Sequence, residues 1–224
     1  MQLKPPIIVS VPARERVELI SCTSSPNCAT PEELIALIAR VSSSKSPEDR
    51  KKDYVKLLKY CVRNAHWSIF EMVDLTFLIT TTRALAPQFI RHKSFSFMEF
   101  SQRYSSPMHV QLCEPRMQDP TNRQSSLPCN DMEVDYWFYQ KQRELYVQAM
   151  EAYDKAISMG IAKECARALL PLNTVTQFYM KGSLRSWIHY CEVRMKPETQ
   201  KEHREVAEVV WEKIIEIFPT LKEL

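Results

Sequence analysis

Only two glycines, Gly160 and Gly182, occur in the 224 residues of this chain. A Walker-type phosphate loop needs two glycines ahead of a lysine, and a Rossmann turn needs three within six residues. Both devices are therefore excluded. A bound nucleotide must have its phosphates held by side chains, helix N-termini or ordinary loop amides. No apolar run approaches the roughly 18 residues of a membrane span, and no membrane partner is expected. The start, MQLKPPIIVSVPARERVEL, lacks an apolar core followed by small residues, so no secretory signal is expected. The seven cysteines are scattered and never in CxxC spacing. A structural zinc site is thus not expected, and reduced thiols in a cytoplasmic setting fit better. Cys61, Cys165 and Cys191 sit in helix-like surroundings and read as small core residues. Charge of one sign is also missing: 30 basic against 27 acidic residues leave +3, with no clustered basic face for nucleic acid. There is no HxxxH pair, HExxH motif, carboxylate cluster, serine elbow or spaced Cys–His pair, so no metal is expected.

What is present suits a globular protein: 45% hydrophobic and 25% charged residues, enough to bury a core. Arg16 to Cys22 reads as a strand. Thr30, Pro31 and Glu33 form a helix start with a capping box, followed by Leu34, Leu37, Ile38 and Val41 at helical spacing. Ser46, Pro47 and Asp49 repeat that start for one helix that carries Tyr54, Leu57, Leu58, Cys61, Val62 and Ala65 on a face and closes near His66. DLTFLITTT, Asp74 to Thr82, is the clearest strand, and Pro87 opens a short helix. Pro107 to Asn130 carries four prolines and no periodicity, which predicts a lid or binding loop. A long helix is expected from Val134 to Met159, stopped by Gly160, and a shorter one from Ala162 to Leu170. A strand over Asn173 to Lys181, a helix capped by Ser183 and a last helix opened by Pro197 complete the chain. No repeat or linker interrupts it. One α+β domain over residues 1–224 is expected, its helices packed on a small, largely antiparallel sheet.

One stretch departs from this scaffold. RHKSFSFMEFSQRY, Arg91 to Tyr104, sets basic side chains, His92, Glu99 and three serines among four aromatic rings. It reads either as a solvated charge cluster or as a partly dry wall facing a charged planar ligand. The rings favour the wall, and Glu99, Ser101 and Arg103 supply an arginine partner and an anion site. Arg167, Arg185 and Arg194 lie on otherwise apolar helical segments together with His189. Arginine stems commonly run along such surface. The alternative is an anion site whose guanidinium also stabilises charge developing on a pyrimidine. His66 reads first as a capping or core histidine, and His109 and His203 read as incidental.

Arg91, His92, Ser96, Glu99, Ser101, Arg103 and Tyr104 fall in register with the signature of the flavin-dependent thymidylate synthases, R-H-R-x-x-S-x-N-E-x-S-x-R-Y. Lys93 stands where arginine is usual and Met98 where asparagine is usual. ARVS (39–42), HWSIFE (66–71), Gln88, ARALLPLN (166–173) and GSLRSWIHYCEVR (182–194) resemble further family segments in family order. The resemblance thus spans about residues 39–194.

That resemblance implies an α/β homotetramer with active sites shared between subunits. It implies conversion of dUMP to dTMP without a cysteine nucleophile. Carbon would come from 5,10-methylenetetrahydrofolate, and hydride from FAD reduced by NADPH. Gln88, Arg91, Glu99, Phe100, Ser101, Gln102, Arg103 and Arg167 would contact dUMP, and Arg194 would be catalytic, polarising the uracil. A fixed cation favours an ionised ring, so that role is physically sound. Ser42, His66, Ser68, Arg91, His92, Lys93, Glu99, Ser183, Arg185 and His189 would hold FAD. Lys93 keeps the charge of the usual arginine without its planar fork. Three rivals stand beside this reading: a sibling enzyme making another 5-substituted uridylate, an inactive paralogue, and a module that stacks single-stranded nucleic acid.

Overall fold

A computed structural model describes residues 8–9, 12–106 and 109–223 of the chain. Residues 1–7, 10 and 11 of the leader reading and the first two residues of the proline-rich segment lie outside the described residues. In chain order the elements are β1 (Ile8–Val9), β2 (Val17–Cys22), α1 (Pro31–Ala39), α2 (Pro47–Lys51), α3 (Tyr54–Arg63), β3 (Asp74–Thr82), α4 (Ala86–Ile90) and β4 (Ser96–Glu99). They continue with β5 (Val110–Gln111), β6 (Arg116–Gln118), β7 (Ser126–Pro128), α5 (Met132–Ser158), α6 (Lys163–Ala166), β8 (Val175–Ser183), α7 (Leu184–Arg194) and α8 (Lys201–Ile217). Mixed helix and antiparallel sheet was the expected class, and it is what forms.

The main sheet has the order β2-β3-β8-β4 and is antiparallel throughout. In β3 the period of two puts Leu75, Phe77 and Ile79 wholly inside, while Thr76, Leu78 and Thr80 on the other face are half-buried. β3 and β8 pair along their full length, from Asp74 opposite Ser183 to Thr82 opposite Val175. Trp187, Tyr190 and Cys191 of α7, with Val206, Val210 and Ile214 of α8, join Phe77, Phe89 and Phe178 in one buried cluster. Each large side chain buried there contributes roughly 1.5–3 kcal/mol. Trp187 satisfies its indole N–H on the Leu75 carbonyl at 3.2 Å.

The helix starts behave as their chemistry dictates. Thr30 Oγ1 accepts from the Glu33 amide at 3.2 Å, and Glu33 accepts from the Ala29 amide at 2.8 Å. Ser183 caps α7 by accepting from the Ser186 amide. Gly160, at φ +85°, ends α5 as expected.

Several expectations need correction. The single helix from Pro47 breaks at Lys52–Asp53, where Asp53 takes φ +53°, so the Ser46 cap serves α2 and the apolar face belongs to α3. Residues 109–130 are not irregular throughout: β6 and β7 form a hairpin with Arg116 opposite Pro128, and β5 pairs with β1. Prolines obscured this, but Pro128 ends a strand, where a missing N–H costs little. α6 is one turn long and tightens into a 3-10 turn over Arg167–Leu169, and the last helix begins at Lys201 rather than Pro197. Cys61 and Cys191 are core residues, whereas Cys165 is exposed.

The Arg91–Tyr104 motif contributes β4, an edge strand, which sequence patterning did not reveal. Ser96 to Glu99 pair with Lys181 to Phe178. Phe95 packs so closely on β8 that a Cβ at Gly182 would lie 2.6 Å from its ring. One of the two glycines is thus required by the motif.

Candidate active site

The motif's first end meets the end of α7. Arg194 donates its Nε–H to His92 Nε2 at 2.8 Å. A ring nitrogen that accepts must carry no proton. Burial, then the Arg194 cation and His189, push His92 down to about 4, so its ring is neutral near pH 7. The His92 ring stands edge-on to Tyr190 at 5.1 Å and to Phe95 at 6.3 Å, which fixes its plane. Gln88, one turn before Arg91, donates Nε2–H to Gln200 Oε1 at 2.8 Å, and its Oε1 lies 3.1 Å from His203 Nδ1.

In the middle of the motif, Glu99 Oε1 receives Arg83 at 2.9 Å and the Thr176 hydroxyl at 3.0 Å. Arg83 also donates to the Phe100 carbonyl at 2.6 Å, tying carboxylate and backbone together. Lys93 and Arg91 are exposed. Met98, in the place usual for asparagine, is 72% exposed and therefore outside the core.

The last end is a surface turn. Ser101 Oγ accepts from the Arg103 amide at 3.3 Å, while its carbonyl accepts from the amides of Tyr104 and Ser105. Arg103 pairs with Glu164 at 3.3 Å, with both side chains more than half exposed. Arg167 donates Nε–H to the Glu164 carbonyl at 3.2 Å. Glu164 of α6 thus contacts both arginines, Arg103 through its carboxylate and Arg167 through its carbonyl. Gln102 is buried, and its Nε2 has no hydrogen-bond partner among the described residues.

A fourth group lines a cleft of about 460 Å³ that includes Trp67, Glu71, Ser94, Arg185, Ile188 and His189. Glu71 organises it, accepting from Arg185 at 3.0 Å and from the Ser183 hydroxyl at 2.5 Å. Trp67 and Ile188 give an apolar wall, while Arg185, His189 and the serine hydroxyls give a polar rim. That donor set and volume fit part of a flavin nucleotide: a planar ring system against the wall and an anionic portion at the cations.

Of the residues assigned to the flavin, Ser183 and Arg185 meet on Glu71, Arg185 and His189 line the cleft, and His92 is bonded to Arg194 instead. Ser42, His66 and Ser68 are exposed and do not line the cleft. His66 is not a core residue; it stands at the N-cap position of the 3-10 turn Trp67–Met72 without a side-chain cap bond, its ring edge-on against Tyr60 at 5.7 Å. Sequence reasoning missed Glu71 and Arg83, and it dismissed His203, which is fully buried and pushed down to about 3 by burial, then Arg194 and His92. Glu71 lay inside the HWSIFE segment, so it had a signal; Arg83 and His203 had none.

A family model described as thymidylate synthase complementing protein matches residues 18–220. Among curated relatives, a flavin-dependent thymidylate synthase of Synechocystis sp. is 54% identical over 192 residues, covering 86% of this chain and 88% of the relative. A probable flavin-dependent thymidylate synthase of Paramecium bursaria Chlorella virus 1 is 48% identical over 195 residues, covering 86% and 89%. The fold is like that of a solved UMP/dUMP methylase from Streptomyces cacaoi bound with 5-Br dUMP, with a TM-score of 0.78 at 24% identity over 92% of each chain. With a match spanning nearly the whole chain and relatives at this identity, the chain belongs to the thymidylate synthase complementing protein family.

Proposed function

We propose that this chain is a flavin-dependent thymidylate synthase that reductively methylates dUMP to dTMP. The observation that carries the reading is the Arg194–His92 pair, a cation fixed through its Nε by a neutral histidine. Arg194 stabilises the negative charge that the uracil acquires as C5 becomes nucleophilic toward the methylene carbon of 5,10-methylenetetrahydrofolate. His92 can hold that guanidinium only while unprotonated, since an imidazolium would lose the acceptor and repel the cation. FAD, reduced by NADPH, supplies the hydride when bound.

Ser101, Gln102, Arg103 and Arg167 take the phosphate through charge-assisted bonds. Gln88, Arg91, Glu99 and Phe100 complete the dUMP contacts, with Arg83 keeping Glu99 in place. Ser183, Arg185 and His189 hold the flavin at the Glu71 cleft, and Ser42, His66, Ser68, Arg91, Lys93 and Glu99 reach it from elsewhere. Their dispersal in one chain supports a homotetramer whose sites are shared between copies. Met132, Tyr136 and Trp137, exposed near the start of α5, supply apolar surface for such an assembly.

The test is turnover of dUMP with 5,10-methylenetetrahydrofolate and NADPH. The yellow protein should bleach on reduction, release the C5 hydrogen of dUMP and yield a product with the mass of dTMP. A hydroxymethyl product, or a flavoprotein inert toward dUMP, overturns the proposal. Ser101→Ala should retain turnover with weaker dUMP binding, because the hydroxyl is a ligand here and no base adjoins it. Abolished chemistry with unchanged dUMP affinity would contradict that role.

A further inference from the structure

We infer that His203 is a positioning residue of the uridylate site, acting through Gln88, whose carboxamide it anchors opposite Gln200. The inference rests on the proposed role of Gln88 as a dUMP contact.

A glutamine side chain presents a donor and an acceptor that a half-turn of the amide exchanges, so a recognition glutamine needs its orientation fixed. His203 enters from the first turn of α8, fully buried, its ring over that of Phe89 at 3.9 Å between centroids. Its Nδ1 is 3.1 Å from Gln88 Oε1, and its Nε2 is 3.2 Å from the Tyr190 hydroxyl. The Glu202 carboxylate accepts from Gln200 Nε2 at 3.0 Å, which turns the Gln200 oxygen to Gln88 Nε2 and the Gln88 oxygen to His203. That oxygen can only accept, so Nδ1 carries the ring proton. Nε2 is then bare, and the Tyr190 hydroxyl donates to it. Burial keeps both partners in these forms, pushing the Tyr190 phenol up and His203 down to about 3.

The result is a chain of single polarity. Tyr190 O–H donates to His203, His203 N–H donates to Gln88, and Gln88 N–H donates to Gln200 at 2.8 Å. A flipped Gln88 amide would set two oxygens against each other at Gln200, whose own N–H is already given to Glu202, and would be met at His203 only after the ring moved its proton to Nε2. The flip thus forfeits the Gln200 hydrogen bond and leaves a polar group unsatisfied. The second Nε2–H of Gln88 is then the donor left for dUMP. Tyr190 also lies edge-on against His92, the residue that fixes Arg194. One buried phenol thus adjoins the holding groups of both side chains assigned to dUMP from this side.

The experiment is steady-state kinetics of the purified full-length protein, following C5-hydrogen release, for wild type, His203→Leu, His203→Asn and Tyr190→Phe, each also in a Gln88→Ala background. His203→Leu should raise the dUMP KM by about 5- to 20-fold with kcat within about twofold, the cost of one disordered contact. His203→Asn, which retains an N–H near Nδ1, should recover most of that loss. Tyr190→Phe should raise KM by a smaller factor and carries the test if the leucine variant does not fold. In the Gln88→Ala background these changes should have no further effect on KM, because the positioned group is gone. Unchanged KM in the folded single variants, or equal losses with and without Gln88, overturns the inference while leaving the activity standing. A wild type inert toward dUMP refutes the activity itself, and this role with it.

Discussion

The two ends of the Arg91–Tyr104 motif are built differently although only a dozen residues separate them. At the first end, His92 is half-buried between Tyr190 and Arg194, and Phe95 is pressed against Gly182. At the last end, Tyr104 is 78% exposed and Arg103 is held by a surface pair with Glu164. Charge-assisted bonds in a dry setting are strong and need no reorganisation when charge develops. An exposed ion pair is worth about 0–1 kcal/mol and is readily exchanged for another anion. With the roles proposed above, the ring-polarising group is set before substrate arrives, and the phosphate-gripping group rests on a weak surface partner.

Substitution of the two arginines should break this comparison most visibly. Arg194→Ala should lower kcat by about 10²- to 10³-fold, the loss typical of removing one preorganised charge-stabilising donor. Arg103→Ala should instead raise the dUMP KM by roughly tenfold with kcat nearly intact, because a phosphate contact is made in ground and transition states alike. Steady-state kinetics with varied dUMP decides it. Equal losses of kcat in both variants would mean that the ends do not divide the work.

Acid sharpens the contrast through stability. His92 and His203 titrate near 6.5 when unfolded but at about 4 and about 3 in the folded protein. Between those values the unfolded chain binds more protons, so stability is full above pH 6.5 and declines as pH falls toward 4. Each histidine contributes at most about 1.4 kcal/mol per pH unit in that window. Urea unfolding at pH 7, 6 and 5 should show the decline, and His203→Asn, which cannot titrate, should reduce the slope. A slope unchanged by that substitution would show that His203 is not held neutral by the fold.

Much of this architecture is legible locally. The alternation in Asp74–Thr82 predicts β3 because one face of it is buried, and Thr30, Ser183 and Gly160 mark helix ends through bonds made within a few residues. The candidate site is legible where its residues cluster in the motif. What escapes is set by contacts distant in sequence. Arg83 acquires meaning only when β4 brings Glu99 to it, and His203 only when α8 packs beneath α4. β4 itself is four residues long on a sheet edge, too short for periodicity to declare it. The break at Asp53 uses a left-handed backbone without glycine, which composition does not signal.

The smallest effect concerns Glu164. In the free protein its carboxylate occupies Arg103, and its carbonyl holds Arg167, so it stands in the place of an anion at the motif's exposed end. Glu164→Gln removes the competing charge while keeping the carbonyl. Stability should change by less than about 0.5 kcal/mol, as for other exposed pairs. The dUMP KM should fall by about twofold, because Arg103 no longer exchanges one anion for another. That gain should shrink at high salt, where the pair is already screened. A KM that rises on Glu164→Gln would mean that the carboxylate orients Arg103 for substrate, making the exposed end as prearranged as the buried one.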